Sequence, residues 1–133
     1  MKREKYLYFR AQATIGSDDA IGDSACFKAS NFAGMHPETD NQLSIYFKSM
    51  CNADGDAHTT AGGDEVVTCD RVILVLATNN THKETMERFS MLMQSYKDGM
   101  IVVGDNLTGA TEYFTTYVSS VFAIHIDDTN VAG

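Results

Sequence analysis

VVTCDRVILVLATNNTHKETMERFSMLMQSYKDGMIVVGDN, residues 66–106, reads as a buried strand, an amphipathic helix and a second buried strand in immediate succession. Val72, Ile73, Leu74, Val75, Leu76 and Ala77 run without a polar interruption, a β-branched pattern suited to a strand covered on both faces. Asn79, Asn80 and Thr81 stop that strand and start a helix. Thr81 and Glu84 have the spacing of a capping box, in which the hydroxyl takes the N3 amide and the carboxylate reaches back to the cap amide. Met86, Phe89, Leu92, Met93 and Tyr96 recur every three or four residues and form one apolar stripe, with Lys83, Glu84, Glu87, Arg88 and Gln94 mostly off it. The pattern predicts a helix over about 81–98 that lies on a sheet. Gly99 is placed to close it in the left-handed conformation, and Met100, Ile101, Val102 and Val103 make the next apolar strand before the turn residues Gly104, Asp105 and Asn106.

Working outward, residues 6–14 alternate Leu7, Phe9 and Ala11 with Tyr8, Arg10 and Gln12, which is the period of a half-buried strand. Residues 16–24 form a Gly/Asp/Ser loop and 25–29 a weaker strand. Residues 31–41, with the sole proline Pro37, read as another loop. Leu43, Ile45 and Phe47 then give a strand with its odd-numbered face inward. Residues 52–65 lack any large apolar side chain and read as a surface loop or hairpin tip. Residues 112–126 read as one long strand with Phe114, Val118, Phe122, Ile124 and Ile126 on a shared face, followed by a frayed tail. The expected fold is α+β: a mainly antiparallel β-sheet with one amphipathic helix, in the order β-β-β-β-α-β-β.

At 133 residues the chain suits a single domain, 1–133, and its 44% hydrophobic and 21% charged content is ordinary for a folded protein. A net charge of −8 argues against direct nucleic-acid binding, which needs a basic patch that outweighs repulsion from the rest. Lys2, Arg3, Lys5 and Arg10 cluster near the start and no Lys or Arg follows Lys97, which reads first as a solvated terminus and second as a basic N-terminal arm that docks on an acidic neighbour. No apolar run reaches the roughly 18–20 residues of a membrane span or resembles a signal peptide, which leads us to expect cytoplasmic synthesis and no membrane partner. Three cysteines, Cys26, Cys51 and Cys69, without a CxxC pair fit reduced, partly buried thiols.

Candidate chemistry is sparse. Asn52, Asp54 and Asp56 alternate as oxygen ligands of a calcium loop would, with Asp64 and Glu65 nearby, but Gly55 stands one place early for an EF-hand. His36, His58, His82 and His125 and the cysteines have no zinc-ligand spacing, and His125 is expected on the wetter face of its strand. Neither a nucleophile elbow nor a phosphate-cradling glycine loop is present, and Cys69 reads as structural. No catalytic residue, metal or cofactor is therefore assigned. Tyrosines on strands, Tyr8, Tyr46, Tyr113 and Tyr117, are the candidate interface residues of a homo-oligomer.

The IYFKS strand (residues 45–49), the Gly/Asp loop, the apolar strand, the NTHKETMERF helix start (80–89) and the DGMIVVGDN strand and turn (98–106) resemble small proteins of marine tailed phages, cyanophages especially. The resemblance covers residues 42–106. It implies a non-enzymatic virion structural protein, such as a capsid decoration or shell component, made in the host cytoplasm and then built into the virion beside other virion proteins. It carries no catalytic residues. Two other readings stand beside it: a small α+β ligand-binding or enzymatic domain with a pocket lined by Tyr46, Asp70 or His125, and an acidic binder of a host protein.

Overall fold

A computed structural model, describing residues 4–14, 16, 18–49, 57–59, 65–67, 69–95 and 99–126, turns the apolar sides of eight strands toward one another in two four-stranded sheets. One sheet has the order β2 (Ser24–Lys28), β1 (Lys5–Arg10), β8 (Gly99–Asp105), β9 (Glu112–Tyr113), and we name it sheet A. Sheet B has the order β10 (Val118–His125), β7 (Cys69–Leu76), β4 (Gln42–Lys48), β3 (Phe32–Thr39). A short hairpin pairs β5 (Ala57–Thr59), inside the segment read as a loop or hairpin tip, with β6 (Glu65–Val67), which begins at that segment's last residue. All of these pairings are antiparallel except β1 with β8. The chain is α+β, with mainly antiparallel sheets and one helix among the described residues, α1 (His82–Gln94).

The core is where the two sheets meet. Leu7 and Phe9 of β1, Ile101 and Val103 of β8, Leu43, Ile45 and Phe47 of β4, and Val72, Leu74 and Leu76 of β7 are all buried in it. Ile73, on the opposite side of β7, is also buried, at 5% exposure, but Arg71 and Val75 beside it are half-buried and Cys69 is exposed, so the strand expected to be covered on both faces is covered only in part on its outer one. Six of the seven phenylalanines form one continuous set of ring contacts. Phe27 stacks on Phe47 at 4.4 Å, Phe9 and Phe32 meet Phe47 edge-on at 6.0 and 6.1 Å, and Phe89 links Phe32 to Phe114 at 5.6 and 5.7 Å. That set spans both sheets and the helix. Gly104 is needed where β8 comes close to β10, because a Cβ there would stand 2.6 Å from Val121 Cγ2.

The helix keeps the predicted stripe: Phe89 is fully buried, and Met86, Leu92 and Met93 pack on the core, while Tyr96 lies outside the described residues. Its start differs from the expected capping box. Thr81 precedes the helix, but its hydroxyl donates backward to the Thr78 carbonyl at 2.7 Å and caps no amide. The start is held instead by docking on the β3–β4 turn, where His82 Nε2 lies 2.7 Å from the Thr39 carbonyl and Asn80 N donates to the Asp40 carbonyl at 2.8 Å. Gly99 has the expected positive φ of 79°, yet it opens β8, whereas the helix ends with Gln94 and caps at Ser95.

Two segments correct the sequence reading. Residues 32–39, expected as loop, form β3; it is an edge strand, and an edge has one side of its backbone free, so Pro37 removes no ladder hydrogen bond from the sheet's interior. Residues 112–126 are two strands in different sheets, not one. Register shifts between Val118 and Ser120 and between Val121 and Ala123 turn Val118, Val121 and Ile124 inward, at intervals of three. Each bulge adds a residue against its partner strand, so period-two parity fails, and Phe122 ends 60% exposed.

The 11–23 loop is stitched to the sandwich by polar groups. Arg10, expected on a basic arm, is 6% exposed; it donates to the Gln12 and Thr14 carbonyls, each at 2.8 Å, and to Asp18 Oδ2 at 2.9 Å. Its place at the end of β1 carries it under the loop. Asp23 receives the backbone amides of Asp19 and Ala20 and the Gln12 amide, and these donors, the Asp19 amide foremost, hold its carboxyl below the usual aspartate range. A lowered carboxyl pKa contributes stability that is present above the unfolded-state pKa and lost as pH falls through the folded one. Comparison of thermal midpoints at about pH 7 and about pH 3 should therefore show a smaller acid loss in Asp23→Asn than in the parent chain. Equal losses would show that Asp23 is not a source of the acid sensitivity.

Candidate functional site

The four candidate interface tyrosines do not share one surface. Tyr8 points outward from sheet A, between the inward Leu7 and Phe9. Tyr46 points outward from sheet B, between Ile45 and Phe47. Tyr113 turns in toward the core, where its hydroxyl donates to Asn106 Oδ1 at 2.7 Å and burial, with Asp105 adding to it, pushes its pKa up. Tyr117 sits in the β9–β10 connection, half-buried. Asn52, Asp54 and Asp56 lie outside the described residues.

Of the pocket residues, Tyr46 and His125 flank Arg71 in the register of sheet B, both on its outer side, with His125 exposed as expected. Asp70 is fully buried with the neighbouring core, so the three do not converge on a cavity. The outer face of sheet B is instead a polar network. His36 Nε2 lies 3.1 Å from the Tyr46 hydroxyl, and Glu38 Oε1 accepts from Ser44 Oγ at 2.6 Å and from Arg71 Nη1 at 3.4 Å. The Ser44 hydroxyl, then Arg71, hold the Glu38 carboxyl below its usual range. This pairing resembles an activated hydroxyl only on paper, since Ser44 is 0% exposed and no substrate carbon can reach its oxygen. Among the described residues, no three His, Cys, Asp or Glu side chains are grouped to hold a metal ion.

The outer face of sheet A is different in kind. Its strand register sets two rows side by side, Lys28–Tyr6–Met100 and Cys26–Tyr8–Val102. Met100 is 59% exposed, Tyr6 39% exposed, and Cys26 is a free, exposed thiol, not the partly buried one expected. None of the six side chains carries a negative charge. At one end the Arg10 and Ser24 pair binds Asp18, so the 11–23 loop forms a polar border. Other exposed apolar side chains, Ile21, Met91 and Phe122, are not in register with one another on any strand pair. The sequence named only Tyr8 of this face. Tyr6 stands two residues before it on β1, but the other four come from β2 and β8, and strand order, which no local pattern encodes, is what assembles them.

At the Lys28 end the face turns into a cleft of about 460 Å³ between the ends of β2 and β4, lined by Tyr6, Cys26, Phe27, Lys28, Asn31, Lys48 and Ser49. No helix among the described residues is long and apolar enough to cross a membrane. No protein-family model matches the chain, and neither does any curated protein or solved structure.

Proposed function

We propose that this chain is a non-catalytic assembly protein that associates with copies of itself through the outer face of sheet A, as a capsid decoration or other repeated component of a virion shell. The observation that supports the reading is the pair of in-register rows on sheet A. Two tyrosines, a methionine, a valine and a cysteine lie side by side on this face, with Tyr6, Met100 and Cys26 exposed and Tyr8 and Val102 half-buried. Contiguous apolar area of this kind, bordered by polar groups, is the usual mark of a protein contact. Charge points the same way. Two copies of a chain with net charge −8 repel one another over most approaches, and the two rows of this face carry no carboxylate. A two-fold contact would lay Tyr6 and Tyr8 of one copy on the rows of the next, the same patch serving both sides. The shell assignment adds the resemblance of residues 42–106 to small tailed-phage proteins.

Sedimentation equilibrium of the parent chain and of Tyr8→Glu tests the reading. The parent should associate more strongly as salt rises, because screening removes residual repulsion. Tyr8→Glu, which places a charge in the centre of the patch, should weaken association by about tenfold or more while leaving the circular dichroism spectrum unchanged. A parent chain that is monomeric at every concentration and salt, together with its absence from purified particles, would overturn it.

A further inference from the structure

The geometry points to a binding site for a small organic anion, a phosphate or carboxylate on a flat apolar body, in the cleft between the ends of β2 and β4. The cleft volume of about 460 Å³ falls within the range of small-molecule sites. Its cations come from different sheets: Lys28 ends β2 of sheet A, and Lys48 ends β4 of sheet B. In a chain with ten Lys and Arg against eighteen Asp and Glu, two lysines lining one concavity, with no carboxylate among the described residues that line it, is an uneven distribution of charge. Glu4 is held below its usual carboxyl range by Ser30 Oγ, which donates to it at 2.8 Å, with the Lys5 amide at 3.2 Å and the charge of Lys28 adding smaller contributions.

The rest of the lining fits the body of such a ligand. Phe27, 3% exposed and held rigid by its stack on Phe47, gives an apolar floor, and Tyr6 gives an aromatic wall. Asn31, on the 3-10 turn Ala29–Asn31 that follows β2, supplies an amide that both donates and accepts. Lysine ammoniums act as mobile point charges and suit a phosphate or carboxylate whose exact pose is set by the aromatic surface. Partial desolvation raises the thiol pKa of Cys26, which lines the cleft as a polarisable contact although its side chain is exposed. The cleft adjoins the proposed assembly face but rests on a separate observation, the concavity and its two lysines, and does not require self-association.

The test is an NMR titration of the full-length, isotope-labelled chain with phenyl phosphate, benzoate and benzyl alcohol, at a protein concentration where sedimentation shows a single species. Saturable shifts centred on Phe27, Lys28, Asn31 and Lys48 with one or both aryl anions, and markedly weaker ones with the neutral alcohol, are expected. Which anion binds tighter distinguishes a phosphate from a carboxylate ligand. The double variant Lys28→Gln/Lys48→Gln, altered only at exposed positions, should keep its spectrum elsewhere and lose about tenfold or more in affinity. Tyr8→Ser, a neutral change outside the cleft lining, should bind as the parent does, which separates this inference from the assembly reading. Non-saturating shifts with both anions, equal binding of benzyl alcohol, or undiminished affinity in the double variant would overturn it.

Discussion

Replacing Phe47 by alanine is expected to lower unfolding stability by about 3–5 kcal/mol, the range for a fully buried aromatic truncated to a methyl. The argument is positional. Phe47 is 0% exposed and is the sheet B ring that meets both Phe9 and Phe27 of sheet A as well as Phe32 of its own sheet. Removing it takes away a stacked contact and two edge contacts at once and leaves a void that the rigid strands on either side cannot close. A stability of roughly 5–15 kcal/mol is normal for a domain of this kind, so the loss is large enough to threaten folding at growth temperature. Urea unfolding of Phe47→Ala and Phe47→Leu measures it, with the leucine variant expected to recover part of the loss. A change under about 1 kcal/mol for Phe47→Ala would mean that the sheets are not joined through this ring.

Asn106→Ala should cost about 2–4 kcal/mol, by a different mechanism. Its side chain makes four hydrogen bonds at once. Nδ2 donates to the Ala11 carbonyl at 2.9 Å and to the Val121 carbonyl at 2.7 Å, while Oδ1 accepts from the Tyr113 hydroxyl at 2.7 Å and the Val121 amide at 3.0 Å. Its backbone amide donates to the Arg10 carbonyl at 3.1 Å. The residue thus fastens the 11–23 loop and β9 to the bulged strand β10, where the ladder is irregular and backbone groups lack strand partners. Alanine strands several half-buried donors and acceptors together, and each unsatisfied group costs more than the bond itself contributed. Asn106→Asp should be at least as damaging near neutral pH, because a carboxylate cannot donate to the two carbonyls that the amide serves. Thermal unfolding of the three proteins checks both expectations, and a variant as stable as the parent would show that the network is incidental.

The sequence makes the helix and the strands that flank it readable, because apolar periodicity reports which side of an element is covered. Phe89, Val72, Leu74, Leu43, Ile45 and Phe47 are all buried as their spacing requires. Periodicity does not report which strands are neighbours, so the division into two sheets and the parallel β1–β8 pair are invisible in it. β3 was obscured by Pro37, a residue that breaks a central strand but is harmless on an edge. Bulges obscured β10, since they change the parity on which the inward-facing assignment depended. Asn106 has the composition of a turn residue, and its role as a four-bond anchor follows only from the tertiary approach of Ala11, Tyr113 and Val121. Tyr8 was legible as an outward aromatic; its neighbours Tyr6, Cys26, Met100 and Val102 become a surface only after the strands pair.

The assembly reading is tested most directly by the solvent contact of two methionine methyl groups as concentration rises. Met91 on the helix and Met100 on the outer face of sheet A are 60% and 59% exposed in a single chain, so each serves as control for the other. With methyl-labelled protein and a soluble paramagnetic agent, both signals should be attenuated equally at high dilution. As self-association proceeds, the Met100 methyl is predicted to become protected while Met91 stays attenuated. Met100 remaining as accessible as Met91 in a solution that sedimentation shows to be associated would contradict the assignment of the sheet A face.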